Sequence, residues 1–331
     1  MKKNKSVIIW LFSGCLLIFL MVVIGGITRL TDSGLSMSSW KLIGSAPPVS
    51  IDEWTEAFNI YKTTPEGKVN SHYILNDFKN IYFWEYLHRM MGRLLGLVFL
   101  IPFIYFLITK KLTKKLIIQS SVLLLLGACQ GFIGWWMVKS GLVDRPDVSH
   151  YRLAVHLTTA FLTCSYTLWV ALSLVIPSSI IGYRRIFNQL LFLLILVLAQ
   201  IIYGAFIAGL KAGRIYNSWP KMGGEWMPEA VFLDPGAGAQ FIHRTLAIVI
   251  IGFILYIWKT SAKLVNSKIH IIGLGSLSLI VLTQTVLGIF TLLMGAPLFL
   301  ALIHQILAFF LLMSLVFCLF IFKESKREIY Q

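Results

Sequence analysis

Apolar residues run almost unbroken through eight stretches of the chain, near 7–27, 87–108, 116–138, 152–176, 187–210, 241–258, 269–294 and 298–322. Each can cross a bilayer, which takes about 20 residues of helix rising about 1.5 Å per residue. Most of the polar connections between them are short, but two are long, about 28–84 and about 211–240, and both carry turn-forming residues and mixed charge. The pattern predicts an all-α integral membrane protein of eight transmembrane helices, with two folded caps on one side.

The two caps match in register. Gly25, Gly34, Trp40 and Gly44 recur 179 residues later as Gly204, Gly213, Trp219 and Gly223. The correspondence continues into the helices: His88-Arg89 returns as His243-Arg244 after 155 residues, Gln130 and Gly134 as Gln284 and Gly288 after 154, and His156 as His304 after 148. Falling offsets mean shorter connections in the second copy, and a match that runs beyond the loops marks an internal repeat. Four helices per copy bring both copies into the membrane in the same sense. The expected architecture is two pseudo-symmetric four-helix bundles, residues 1–180 and 181–331.

Composition agrees with a membrane protein: 57% hydrophobic, 13% charged and a mean hydropathy of +0.80. The net charge of +15 adds the orientation. The start of the chain, the turns 109–115, 177–186 and 259–268, and the end of the chain hold 15 of the 29 basic residues but only Glu324 and Glu328 of the 14 acids. Basic connections stay cytoplasmic, so both termini face inward and the caps outward. The charge is a topology signal and not a nucleic-acid footprint. The first apolar stretch lacks a small-residue cleavage site and is expected to remain as a permanent span. Cys15, Cys129, Cys164 and Cys318 all fall in predicted spans without a CxxC pair, so they read as packing residues.

Helices two, four, six and eight run from outside to inside, and His88, His156, His243 and His304 are expected within their first two turns, in one layer near the outer face. One turn further in stand Gly92, Ala160, Ala247 and Ala308, small enough to admit a flat macrocycle beside each ligand. Helical bundles hold cofactors between facing side chains in this way. Arg89 and Arg244 run against the charge bias at the outer edge and call for anionic partners, which heme propionates would supply. The reading is two heme sites, His88 with His156 and His243 with His304, all four as axial iron ligands. Interfacial histidines bonded to backbone or lipid headgroups are the alternative. Zinc or copper fits less well, because the pairs lack carboxylates and thiolates. His72 and His270 are expected to be solvated, and His150 lies off the helical face of His156.

One position breaks the repeat. Glu85, three residues before His88, becomes Gln240 in the second copy. A carboxylate beside a heme edge can take a proton or stabilise developing positive charge; an amide cannot. Catalysis is therefore assigned to Glu85, His88 and His156, and a resident electron-transfer heme to His243 and His304. Glu85 as a helix cap or a partner of Arg89 is the competing reading.

At this point the chain closely resembles the heme A synthase family, in its mitochondrial and alphaproteobacterial form. The matching stretches are GGITRLTDSGLSMSSWK, EYLHRMMGRLLG, CQGFIGWWMVKSGL, VSHYRLAVHL, NSWPKMGG, QFIHR and IHQ. The resemblance implies oxidation of the C8 methyl of heme O to the formyl of heme A through a hydroxymethyl intermediate. It also implies a heme b held by His243 and His304, substrate heme at His88 and His156, and an essential glutamate at Glu85. A farnesyltransferase making heme O would supply it and a heme A-containing terminal oxidase would use the product, with an unidentified electron donor and a possible homo-oligomer. The cysteine pair that some bacterial members carry in the first outer loop is missing.

Two chemistries stay open. Oxygen chemistry at the substrate iron needs one of its two imidazoles to leave; electron removal followed by water attack on the methyl carbon does not. Outside the family reading, a non-catalytic diheme cytochrome b would explain the histidines but not Glu85 against Gln240. A transporter would explain the repeat but not polar residues gathered at the outer edge.

Overall fold

The structure, a computed structural model, describes residues 5–37, 46–142, 146–177 and 181–323. Trp40, Gly44 and the charged chain ends used above lie outside them. The described residues are all-helical, without a β-strand. The order is α1 (Lys5–Leu30), α2 (Ile51–Thr63), α3 (Pro65–Val69), α4 (Leu75–Ile108), α5 (Lys114–Lys139), α6 (His150–Val175), α7 (Arg184–Gly209), α8 (Ala230–Leu233), α9 (Pro235–Ser261), α10 (Lys268–Leu293) and α11 (Leu298–Phe322). Eight of them, α1, α4, α5, α6, α7, α9, α10 and α11, are long and apolar enough to span a bilayer. Large apolar side chains such as Leu97, Ile101, Leu125, Ile248, Leu255 and Leu279 stay on the outside of their helices, as a hydrocarbon solvent requires.

The chain divides into two compact units, one of Leu16–Ala160 and the other of the start through Cys15 together with Phe161 onward. In the second, α7 packs on α9 and α11, and α10 on α9 and α11, which closes a four-helix bundle. Its core is a run of fully buried aliphatic residues, among them Leu190, Leu193, Ile254, Leu277 and Leu315. His270 belongs to this core and not to solvent. It is 0% exposed, its Nε2 lies 3.0 Å from the Ile321 carbonyl, and its ring meets Tyr183 and Phe322. The sequence placed it at a basic helix start, where no apolar pattern marks it as buried; the end of α11 covers it.

In the Leu16–Ala160 unit, the long outer segment forms a cap. Ser50 starts α2 with a capping box, accepting from the Glu53 backbone while the Glu53 carboxylate accepts from the Ser50 backbone. Two backbone donors, Val49 and Ser50, hold that carboxyl below the usual range. Phe58 and Tyr61 of α2 bury their rings against Phe78, Ile81 and Tyr82 of α4. Burial pushes the Tyr61 phenol up to about 12 despite a bond from the Asn70 amide. The cap therefore stands on α4, which begins at Leu75, where the Asp77 carboxylate accepts from the Ile74 backbone.

This extension puts the start of the helix ahead of the apolar stretch that begins near residue 87. Its residues Asn76, Asp77, Lys79 and Asn80 give no membrane signal, so only the apolar part was visible in the sequence. His88 consequently lies nearly four turns into α4, whereas His156, His243 and His304 lie about two turns into α6, α9 and α11.

Phe78→Ala tests the docking of the cap. Phe78 is 1% exposed at the centre of the ring cluster, and losing a buried phenyl ring typically costs about 3–5 kcal/mol. The expected outcome is fast proteolysis between residues 46 and 74 with α4 intact. An unchanged digestion pattern would show that the cap does not depend on this cluster.

Candidate functional site

All four repeat-related histidines sit edge-on against a glycine of a neighbouring helix. A β-carbon at Gly25 of α1 would fall 2.9 Å from His88 Cε1, and one at Gly134 of α5 would fall 3.0 Å from His156 Cε1. In the other unit the distances are 3.2 Å from Gly204 of α7 to His243 and 2.8 Å from Gly288 of α10 to His304. Only a residue without a side chain allows a ring this close in a packed interior. Two helices can then touch while an imidazole occupies their contact.

Glutamines tie three of these contacts together. Gln130 lies one turn before Gly134; its Nε2 donates to the His156 carbonyl at 2.8 Å and lies 3.1 Å from His156 Nδ1. Thr159 Oγ1 donates to Gln130 Oε1 at 2.7 Å, which fixes the amide. Gln284, one turn before Gly288, donates to the His304 carbonyl at 3.0 Å. Gln200, one turn before Gly204, donates to the His243 carbonyl at 3.0 Å, and His243 Nδ1 lies 3.1 Å from the Gln200 carbonyl. A ring nitrogen donating to a carbonyl leaves the other nitrogen to a metal, the common arrangement of a histidine ligand.

The second-copy pair fits a flat metal cofactor. The His243 and His304 ring centroids lie 6.3 Å apart with planes at 68°. That is too far for stacking and leaves room for a metal ion with bonds of about 2 Å to each ring. In the first copy His88 and His156 are close enough to act on each other electrostatically. The Nδ1 atoms of His88 and His304 are buried without a hydrogen-bond partner. Such atoms are rare unless a further group belongs beside them.

The arginines and their neighbours differ between the copies. Glu85 is 3% exposed; its Oε2 accepts from Ser36 Oγ at 2.6 Å and from the Met37 backbone at 2.9 Å, and its Oε1 accepts from Arg89. Arg89 also donates to the Met37 carbonyl at 3.1 Å. In the second copy Arg244 donates to the Tyr216 carbonyl at 2.6 Å and the Ser218 carbonyl at 2.8 Å, and Gln240 donates to the Tyr216 carbonyl at 3.1 Å. Met37 and Tyr216 are 179 residues apart, so both arginines grip the same point of their loops. Arg89 has a carboxylate partner. Among the described residues Arg244 makes no ion pair, and its buried Nε has no acceptor. A buried cation in this position suits an anionic group of a bound molecule.

All seven residues singled out from the sequence, Glu85, His88, Arg89, His156, His243, Arg244 and His304, thus sit at these contacts. The Glu85–Arg89 pair is real, but Ser36 and Met37 act on the same carboxylate, so pairing is only part of its environment. A β-carbon at Gly92 would meet Met21 Cε at 3.7 Å, an ordinary van der Waals contact. His72 is exposed, and His150 packs on Tyr151 at the start of α6. Sequence reasoning missed Ser36, the part played by the four glycines, and Gln200. The Gln-x-x-x-Gly spacing, present three times, was the available signal.

Comparison with known proteins agrees across the chain. A family model described as cytochrome oxidase assembly protein matches residues 8–316. The chain is 50% identical to a heme A synthase of Flavobacterium johnsoniae, over 96% of this chain and 98% of that protein. It is 49% identical to one of Flavobacterium psychrophilum, over 98% and 100%, and 43% identical to one of Nitrosospira multiformis, over 91% and 89%.

Filling a histidine-facing glycine should displace the ring. Gly288→Ala is expected to lower heme content measured as the pyridine hemochrome, whereas Gly252→Ala, with open space at its β-carbon, should leave it unchanged. Equal heme in both variants would show that the glycine contact does not place His304.

Proposed function

The chain belongs to the cytochrome oxidase assembly family of heme A synthases, oxidoreductases that convert heme O to heme A, and we propose that its two repeat copies divide this task. The first copy oxidises the C8 methyl of heme O between His88 and His156, through the hydroxymethyl stage to the formyl group. The second copy holds a resident heme b between His243 and His304. When bound, that heme supplies one-electron chemistry.

The observation that carries this reading is the buried Glu85 carboxylate, held by Ser36, Met37 and Arg89 where the second copy has Gln240. Three donors fix its orientation and leave it an acceptor. It can take a proton from the reacting methyl carbon or oppose positive charge developing on the macrocycle. Ser36 Oγ is a donor the second copy lacks, since Ile215 stands 179 residues later. Immediately around its arginine the second site is instead more positive by one charge, because Gln240 stands in place of Glu85 and, among the described residues, Arg244 makes no ion pair. That favours retention of a group bearing propionates. Arg89, already paired with Glu85, binds the substrate propionates more weakly.

The repeat supports a pseudo-symmetric arrangement of two four-helix bundles, residues 1–180 and 181–331. The basic connections support a bacterial inner-membrane location, both termini cytoplasmic and the heme sites toward the outer face. Heme O synthase is the supplier and a terminal oxidase the destination. The electron donor is a separate partner.

Heme extraction from membranes supplied with heme O tests the proposal. Glu85→Ala is expected to retain heme but to make no heme A. Ser36→Ala should slow heme A formation by roughly 10- to 100-fold, the worth of one hydrogen bond to a charged group. Wild-type rates in both variants would remove Glu85 from the reaction. His243→Ala and His304→Ala should each lose a tightly held heme b from the absorption spectrum; retention of that heme in both would place it elsewhere.

A further inference from the structure

The four histidine contacts share one plan except in one place. The residue one turn before the facing glycine is Gln130 on α5, Gln200 on α7 and Gln284 on α10, but Met21 on α1. Met21 and Gln200 stand 179 residues apart, the offset of their surroundings. His88 meets Gly25 through Cε1 and Nδ1, just as His243 meets Gly204. The poses match, but the polar tether does not. The Gln200 side chain donates to the His243 main-chain carbonyl at 3.0 Å, a bond for which Met21 has no donor; the 3.1 Å contact of His243 Nδ1 is to the main-chain carbonyl of residue 200.

A thioether has no hydrogen to donate, so Met21 can pack but cannot hold the neighbouring backbone. Gln200, Gln130 and Gln284 each hold the main-chain carbonyl of the facing histidine, and with it the backbone that carries the ligand, at 2.8–3.0 Å; His88 has no such bond from residue 21. A heme A synthase must also admit a heme and release a modified one in every cycle, while its resident heme stays. The two sites therefore need unequal grip.

We propose that Met21 and Gln200 are positioning residues that set this inequality: Gln200 locks His243 for permanent heme retention, and Met21 leaves His88 untethered so that the first-copy heme exchanges. The inference rests on the assignment of the substrate heme to His88 and His156. It makes His88, and not the Gln130-tethered His156, the ligand that yields when heme enters or leaves.

The test follows heme transfer from the purified, heme-loaded, full-length protein to excess apomyoglobin, read by Soret absorbance. Two classes of heme are expected, one fast and one slow, with His88→Ala abolishing the fast class. Met21→Gln should slow the fast class about tenfold, near the worth of one hydrogen bond, without touching the slow class. Gln200→Met should speed the slow class by a similar factor, and Met21→Leu, which adds no donor, should change neither. An unchanged fast class in Met21→Gln, with His88→Ala still abolishing it, would overturn the tether and spare the site assignment. A fast class that survives His88→Ala would overturn the assignment and the proposal together.

Discussion

An imidazole at a contact between two membrane helices needs a place to put its ring, and here glycine provides it each time. With a β-carbon at Gly25, Gly134, Gly204 or Gly288, the facing ring would have to move, because the contact would close to 2.8–3.2 Å. Everything else at the sites is built around that close approach. The glutamines reach the histidine carbonyl because the helices touch, and the rings of His243 and His304 stand 6.3 Å apart because each is pressed against its own glycine. Backbone polar groups inside a bilayer must be satisfied within the protein, so these side-chain bonds also steady the helices that carry the ligands.

Charge then separates two sites of common plan. Both arginines grip a loop carbonyl, Met37 in one copy and Tyr216 in the other. Only the first adds a carboxylate, giving a locally neutral pair with one oxygen held by Ser36 and Met37. The second leaves Arg244 as a buried cation beside Gln240. A neutral pair containing a usable acceptor suits chemistry; an uncompensated cation suits holding an anionic cofactor. The Met21 and Gln200 difference works in the same direction through hydrogen bonding, so the sites differ both in charge and in tether.

Much of this was legible in the chain. The eight spans follow from apolar length alone, and the repeat picked out the four histidines, both arginines and the one carboxylate that breaks the symmetry. What escaped reading did so for physical reasons. The polar start of α4 carries no membrane signal, although it is helix with a cap packed on it, so His88 stands further from the start of its helix than expected. His270 is buried by the distant end of α11, a tertiary contact that local pattern does not encode. Ser36 reaches Glu85 across 49 positions of sequence. The glycines and glutamines were visible as repeat markers, but their meaning lay in the facing helix.

The claim that one copy converts a heme while the other keeps one is tested most directly by identifying what each histidine pair binds. Hemes would be extracted and chromatographed from purified His88→Ala and His243→Ala proteins made with a heme O supply. The account predicts heme b alone in His88→Ala and only farnesylated heme in His243→Ala. Heme b missing from His88→Ala but retained in His243→Ala would contradict it.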